Sequence, residues 1–252
     1  AVTYVLQPSG ALLSTLTLAA GLAPTHLALG TDGTLYMGHR LINGKFYAYA
    51  GNGALKWEFA TGGSEFRLAS AIDASGQIHA GTWHYPGPPP TPPFAALYSI
   101  IDQATSGSFK WTFQPPEDIG AWGVNSVMLN SAPAVGADGT RYAGFVGKLN
   151  GNLGTSLYAV NPTNGTEKWH HTVQNNPMGT NAHLAIGADG AIYMVSSDFN
   201  FMVLSAVTSA GQPKWAAPVA LSDVCFGCET GPAIDSNDVL YLGVRDCAWA
   251  IN

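Results

Sequence analysis

The fold is decided by a stretch that reads Leu157-Tyr158-Ala159-Val160-Asn161-Pro162-Thr163-Asn164-Gly165-Thr166-Glu167-Lys168-Trp169. An apolar strand runs into a polar turn, and a Gly stands four residues ahead of a Trp. The same spacing recurs at Gly53/Trp57, Gly107/Trp111 and Gly211/Trp215, and a fifth copy has Ser in place of Trp, at Gly10/Ser14. A spacing that recurs along the whole chain indicates a repeat protein.

Each unit also carries a second tight turn that leads into a short apolar strand. These turns are centred on Gly33, Gly76, Gly139, Gly190 and Asp238, which lie 43, 63, 51 and 48 residues apart. Repeats of about 40 to 50 residues that hold several strands are typical of propeller blades. The longest interval contains two insertions, so five units account for the chain.

Within one unit the order of strands and turns predicts a four-stranded antiparallel meander. Tight hairpin turns require positive φ angles, which explains the Gly residues, and one face of each sheet packs against the next blade. With 30 Gly and 16 Pro, long helices are not expected. We therefore predict an all-β fold, a single β-propeller domain over residues 1–252 with units at 10–52, 53–106, 107–164, 165–210 and 211–252.

The two ends of the chain allow two interpretations. The last unit stops after its third strand, at 249–252, and residues 10–18 have the pattern of a fourth strand, so together they would close a five-bladed ring and remove open sheet edges. However, residues 4–10 have the pattern of a third strand and its turn, so that element occurs six times. On this second interpretation the chain is a fragment of a longer propeller, or its first strand packs elsewhere.

Charge and hydropathy exclude several classes of partner. The formal net charge is -6 and only 10% of residues are charged, so the chain has no basic surface for nucleic acid or an anionic membrane. No apolar run approaches the roughly 18 to 20 residues that span a bilayer. The first residues have neither the charged nor the apolar part of a signal peptide, so we expect any such peptide to have been removed.

The order of strand, Tyr-Ala, turn, Gly-x-x-x-Trp, small-residue strand and Asp-Gly-x-x-Tyr resembles the PQQ-like repeat of quinoproteins, over nearly the whole chain. The resemblance implies that one Trp in each unit packs between adjacent blades, namely Trp57, Trp111, Trp169 and Trp215. It also raises the alternative of a dehydrogenase with pyrroloquinoline quinone over a calcium ion and an Asp base. Those enzymes have eight blades and adjacent cysteines, whereas two residues separate Cys225 from Cys228, and no Asp, Glu and Asn trio can be placed here.

The long connections are predicted to emerge on one face, because successive connections of a meander alternate between its two ends. They are 82–95, 114–130, 145–155, 174–181 and 221–230. Function on repeat folds usually lies on the elaborated face. The candidate binding residues there are Trp83, His84, Tyr85, Phe94, Trp122, Asn125 and Asp198. The alternative is structural: the Pro-rich loop 83–94 would cover apolar surface, and Trp122 would pack rather than stack on a sugar or partner.

Three cysteines are disulfide candidates: Cys225, Cys228 and Cys247. A Cys-x-x-Cys with no following His disfavours haem attachment, and no second pair exists for a structural zinc. The pattern favours a disulfide, either Cys225 to Cys228 or one of them to Cys247, and hence an oxidising compartment.

From the sequence we favour a non-catalytic, extracellular or periplasmic module that binds a protein or a glycan, or that assembles with itself. We assign no catalytic residue, no metal and no cofactor. A glycosidase would need two facing carboxylates, and none of the carboxylates on the elaborated side has a motif around it: Glu65, Glu117, Asp118, Asp198, Asp223 and Glu229. The alternative is the quinone- and calcium-dependent enzyme, or a fragment of one.

Overall fold

A computed structural model describes most of the chain. It covers residues 2–17, 25–39, 44–61, 65–83, 95–116, 128–129, 131–149, 152–175, 182–197, 202–221, 231–244 and 247–251. All regular structure in these ranges is β-strand.

The described residues form 24 strands. In chain order they are β1 (Val2–Leu6), β2 (Leu12–Thr17), β3 (Ala28–Leu29), β4 (Leu35–Gly38), β5 (Lys45–Tyr49), β6 (Leu55–Ala60), β7 (Glu65–Phe66), β8 (Ala71–Ile72), β9 (Ile78–Trp83), β10 (Leu97–Asp102), β11 (Gly107–Phe113), β12 (Met128–Leu129), β13 (Ser131–Ala132), β14 (Ala134–Val135), β15 (Arg141–Leu149), β16 (Asn152–Val160), β17 (Glu167–Asn175), β18 (Ala182–Ile186), β19 (Ile192–Ser197), β20 (Met202–Val207), β21 (Val219–Leu221), β22 (Ala233–Ile234), β23 (Leu240–Val244) and β24 (Cys247–Ile251).

The strands build five antiparallel sheets in chain order. Blade A is β3 to β6, blade B is β8 to β11, blade C is β14 to β17 and blade D is β18 to β21, while blade E is β22 to β24. The first strands of successive blades are neighbours, from β3 through β8, β14 and β18 to β22. Three short strands join the blades: β7 pairs with β9, β12 with both β9 and β15, and β13 in parallel with β18. The fold is therefore a β-propeller, as predicted.

Strands β1 and β2 form a separate hairpin that has the pairing of a blade's third and fourth strands. Val5 pairs with Ser14 and Leu6 with Leu12, and the register shifts between the two pairs. In blade A the third and fourth strands show the same pattern, since Ala48 pairs with Trp57 and Tyr49 with Leu55 across an equivalent shift. The sixth third-strand pattern read from the sequence is thus a strand, and among the described strands β2 pairs with β1 rather than with β24.

The spacing of Gly and Trp follows from how one blade sits on the next. A Cβ built on Gly107 would lie 2.8 Å from the ring of Trp57 in the preceding blade. The same relation holds for Gly165 under Trp111, at 2.8 Å, and for Gly211 under Trp169, at 2.7 Å. Any side chain at these glycines would therefore collide with the Trp of the preceding blade.

Each of these three Trp residues also donates a hydrogen bond to the following blade, against which its ring packs. Trp57 Nε1 donates to Asp102 Oδ1 at 2.8 Å, Trp111 Nε1 to the carbonyl of Pro162 at 3.0 Å, and Trp169 Nε1 to the carbonyl of Ser209 at 3.0 Å. The acceptors all lie in or beside the turn between the third and fourth strands. The indole ring thus packs over that turn, and the turn accepts the hydrogen bond of the indole N–H.

The hydrophobic core is divided among the junctions between blades. Each of four clusters joins two neighbouring blades. The junction of B and C, for example, buries Trp111 and Phe113 of blade B against Phe145 and Tyr158 of blade C. Burying large aromatic side chains contributes several kcal/mol each, so most of the stability lies between sheets rather than within them.

One predicted insertion is wrong. Residues 145–155 are predicted to be an insertion between the second and third strands, but most of the segment continues β15 and β16. Their pairing extends through Phe145 with Ser156 as far as Leu149 with Asn152. Cross-strand pairing has outweighed the low β-propensity of these residues.

The contact between Trp111 and Gly165 can be tested against a glycine that has the same backbone conformation and free space. Gly165 has φ +73° and Gly33 has φ +82°, but nothing lies within 4 Å of a Cβ on Gly33. Gly33→Ala should cost about 1 to 2 kcal/mol of unfolding free energy from φ strain alone. Gly165→Ala should cost a further 1 to 3 kcal/mol, roughly, because the methyl group collides with the indole. Urea unfolding measures both, and equal costs would contradict the contact.

Candidate functional site

A polar cluster recurs on the face of the short turns. The residue before each docking Trp is Lys, and its ammonium reaches across the sheet to the turn between the first two strands. Lys168 Nζ lies 3.2 Å from Asp138 Oδ2 and 2.6 Å from Thr140 Oγ1, and Lys214 Nζ lies 2.7 Å from Asp189 Oδ2. These carboxylates are well exposed, so each pair stabilises the fold only slightly.

At the junction of blades A and B this cluster gains a second carboxylate, that of Asp102. Asp102 accepts hydrogen bonds from Tyr36 Oη at 2.6 Å, Lys56 Nζ at 3.0 Å and the indole of Trp57, all from blade A. The backbone N–H of Ala104 donates a fourth, at 2.7 Å. Burial alone would raise the pKa of Asp102, but these donors outweigh it and hold the pKa below its ordinary value.

A cleft of about 350 Å³ opens beside Asp102 between the two blades. Its walls carry the side chains of Asp32, Lys56, Asp73 and Tyr36, together with turn backbone. It lies on the face of the short turns, where the sequence predicted no site. Lys56 pairs with Asp102, at 3.0 Å, and approaches Asp32, at 3.5 Å, so the ammonium of the cleft is already engaged by protein carboxylates.

The junction of blades B and C holds a buried ionic cluster. Asp73 and His79 belong to blade B and Arg141 to blade C, and the His79 side chain is fully buried. Arg141 Nε donates to His79 Nε2 at 2.8 Å, and its Nη2 bonds Asp73 Oδ2. His79 also stacks on Trp111, with ring centroids 5.9 Å apart. The cluster therefore holds Trp111, the docking Trp of blade B, in position through the stacked ring of His79 in the same sheet.

His79 Nε2 has two neighbours in this cluster, since Arg141 Nε donates to it at 2.8 Å and Asp73 Oδ2 lies 3.2 Å away. The hydrogen bond from Arg141 requires a lone pair on Nε2 and therefore the proton on Nδ1. His79 Nδ1 has no hydrogen-bond partner among the described residues. Burial, followed by the charge of Arg141, lowers the pKa of His79 to about 4. Hydrogen bonds from Ser75 and the backbone of Gln77, with the charge of Arg141, outweigh burial and lower the pKa of Asp73 to about 2.

The sequence analysis did not predict this cluster, although an alignment of the five units shows that its residues depart from the repeat. The position of His79 is Tyr in the other four units, and that of Arg141 is otherwise Leu or Ile. The position of Asp73 is Gly in blades A, C and D, where a Cβ would approach the Tyr ring, for example 3.1 Å from Tyr36. Asp also stands at this position in blade E, as Asp235 beside Tyr241, so the combination of Asp with His is what distinguishes blade B.

Among the described residues, nothing covers one face of the hairpin β1–β2. Val2, Tyr4, Leu6 and Leu12 lie on one side of it and are 51% to 66% exposed. The residues at the position of Tyr4 in blades B and C, Tyr98 and Tyr158, pack on the preceding blade. Gly10 occupies the position of the docking glycines and has φ +84°, but nothing lies within 4 Å of a Cβ built on it. Large apolar side chains exposed together on a sheet typically mark an interaction surface.

The sequence-predicted binding residues cannot be placed together. His84, Tyr85, Phe94, Trp122, Asn125 and Asp198 lie outside the described residues, as do Cys225 and Cys228. Of Trp83 and Cys247 the structure describes the backbone, at the end of β9 and the start of β24. Glu65 is described, and it pairs with Arg67 at 2.8 Å. The assignments of a binding face and of a disulfide therefore stay predictions.

A protein family matches residues 1–243 of the chain. Its description is outer membrane protein assembly factor BamB. The chain belongs to this family. Such a match covers both the hairpin and blades A to D, so the PQQ-like repeat inferred from the Gly and Trp spacing is confirmed. A search of curated protein sequences found no match.

Solved propellers share the fold of this BamB-family chain at low identity. The Dos1 propeller matches with a TM-score of 0.57 and 9% identity, over 95% of this chain and 55% of that one. The catalytically inactive H270A virginiamycin B lyase from Staphylococcus aureus, solved with quinupristin, matches with a TM-score of 0.61 and 13% identity, over 97% of this chain and 75% of that one. This chain thus spans little more than half of the Dos1 propeller chain.

No group of three or more His, Cys, Asp or Glu side chains within the described ranges could hold a metal ion. The carboxylates of Asp102, Asp138 and Asp189, in the short turns, accept hydrogen bonds from backbone N–H groups. In the same part of the chain, no helix is long and apolar enough to cross a bilayer.

The buried His79 makes stability depend on pH. The ordinary pKa is 6.5 and the folded one about 4, so the unfolded chain binds more protons between these values and stability falls as the pH drops through this window. His79→Gln keeps an acceptor for Arg141 and removes the titration. We expect the wild type to lose about 3 kcal/mol more than this variant between pH 6.5 and pH 4.

Urea unfolding at several pH values measures this loss. A His79→Gln variant with the same pH dependence as the wild type would contradict the assigned cluster.

Proposed function

We propose that the protein is a non-catalytic, extracytoplasmic module that binds another polypeptide, and that the hairpin β1–β2 forms part of its binding surface. The observation that carries the proposal is the exposed docking face of this hairpin. Its side chains have the positions that elsewhere pack against a neighbouring blade, and its glycine has the open space that elsewhere holds an indole.

The geometry of this face favours a polypeptide over a glycan. The face is a flat strand pair with alternating apolar side chains, so a β-sheet that carries apolar or aromatic residues is complementary to it. Sugars instead require polar side chains beside an aromatic ring, and the four exposed residues of the face include one aromatic ring, that of Tyr4. A second copy of the chain or another protein would satisfy the same chemistry.

Membership of the family also supports a polypeptide as the partner. The family description names an assembly factor, which acts on other proteins. The predicted disulfide agrees with a compartment outside the cytoplasm. The quinone-dependent enzyme has no donor set among the described residues, so added quinone and calcium should give no visible absorbance of a complex.

The hairpin can be tested with two neighbouring substitutions of equal charge. Leu12 points to the exposed face, whereas Ala11 lies in the adjoining turn. Leu12→Lys should weaken association roughly tenfold to hundredfold, because about 1.5 to 3 kcal/mol of apolar burial is lost. Ala11→Lys should leave it unchanged. Analytical ultracentrifugation with native mass spectrometry reports the mass of the particle against the chain mass of 26.3 kDa.

The proposal predicts a particle heavier than the chain, formed with itself or with a polypeptide recovered by cross-linking. A stable particle at the mass of one chain, with no polypeptide cross-linked to the hairpin, would contradict it. Binding that survives Leu12→Lys would place the surface elsewhere on the molecule.

A further inference from the structure

Two aromatic positions fill the outer part of the junction of blades A and B and of the junction of blades B and C. One follows the docking Trp by two residues on the fourth strand, and the other lies on the third strand of the next blade. At the junction of B and C these are Phe113 and Tyr158, whose ring centroids are 5.3 Å apart. At the junction of A and B, Phe59 packs on Phe109 at 4.1 Å and Phe109 stacks on Tyr98 at 5.0 Å.

The junction of blades C and D lacks both rings. Alignment of the units places His171 at the position of Phe59 and Phe113, and Ser205 at the position of Tyr98 and Tyr158. A cavity of about 190 Å³ lies there, and both residues line it. The cavity therefore corresponds to the space that aromatic side chains occupy in the junctions of A with B and of B with C.

The fourth strand of blade D makes a detour that forms the outer wall of this cavity. Pro213 bridges to Val207, and Val219 pairs with Leu204. Five residues, 214–218, thus lie opposite only two on β20. Pro213, Trp215 and Pro218 line the cavity from this detour. Lys214 N still donates to the carbonyl of Ala206, at 2.8 Å, so the chain leaves β20 only beyond Lys214, where residues 215–218 form the outer wall of the cavity.

Ser205 brings an unsatisfied hydroxyl to this cavity. The residue is only 4% exposed, and its Oγ has no hydrogen-bond partner among the described residues. A buried polar group without a partner costs about 1 to 3 kcal/mol, so its presence calls for an explanation. Burial, with the neighbouring His170, lowers the pKa of His171, so this ring is neutral at pH 7 and can also accept a hydrogen bond.

From these features we infer that the cavity binds a phenolic ring. The ring occupies the space left by the missing aromatic side chains, against Ala206, Pro213 and Trp215, and its hydroxyl meets Ser205 and His171. The size is suitable, since an apolar cavity of about 150 Å³ in another protein holds benzene. The ring belongs to a small phenol or to a Tyr side chain of a polypeptide, which present the same chemistry.

The site can be tested with phenol, toluene and N-acetyltyrosinamide, each titrated against the protein by ligand-observed NMR. Phenol should bind saturably at one site, and about fivefold more tightly than toluene, because the hydroxyl supplies the partner that Ser205 lacks. Ser205→Ala should abolish that preference. Binding of N-acetyltyrosinamide identifies a polypeptide source, and binding of phenol alone identifies a small molecule.

Ser205→Tyr restores the repeat residue and should fill the cavity. We expect it to weaken phenol binding more than tenfold, whereas Ser236→Tyr, in an exposed turn of blade E, should not change it. His171→Phe provides a second variant that narrows the cavity from the other blade. Unsaturable binding of phenol to the wild type, or equal binding to these cavity variants, would overturn the inference. Leu12→Lys should leave phenol binding intact, which separates this site from the proposed function of the hairpin.

Discussion

The contact of a Trp ring with a Gly of the next blade is the interaction on which the rest of the structure depends. The indole covers the glycine and donates its N–H to the adjacent turn, so one residue supplies both apolar burial and a directed hydrogen bond. The third strand of the next blade continues directly into that turn. The contact between Trp and Gly therefore also sets the position of this strand. The core clusters then form between sheets, and each blade is stable only through its neighbours.

Departures from this repeat coincide with the features that have functional interest. Where Tyr becomes His and Gly becomes Asp, a buried ionic cluster replaces a phenol packed on a glycine. Where Tyr becomes Ser and Phe becomes His, a cavity opens between blades C and D. Where the docking glycine meets no indole, at Gly10, an apolar face is exposed. A repeat fold tolerates such local changes, because each junction depends mainly on the two blades that form it.

The sequence predicted the class of fold because its signals are local. Gly at a fixed distance from Trp, and polar turns between alternating strands, report on residues that are close along the chain. The buried cluster could not be predicted in this way, since His79 and Arg141 meet only when blade C lies on blade B. The cavity lined by Ser205 likewise requires the order of the blades. The segment 145–155 was mispredicted as an insertion because the sequence alone does not show how far the strands pair.

The claim that docking between blades makes the sheets a single cooperative unit is tested most directly by native-state hydrogen exchange. Backbone amides in the third strands of blades A to D, which are β5, β10, β16 and β20, should exchange with one common free energy of opening. That free energy should fall with urea at one common slope. Opening of one of these strands at a clearly lower free energy than the others would show that the blade folds and unfolds independently, and would contradict the account.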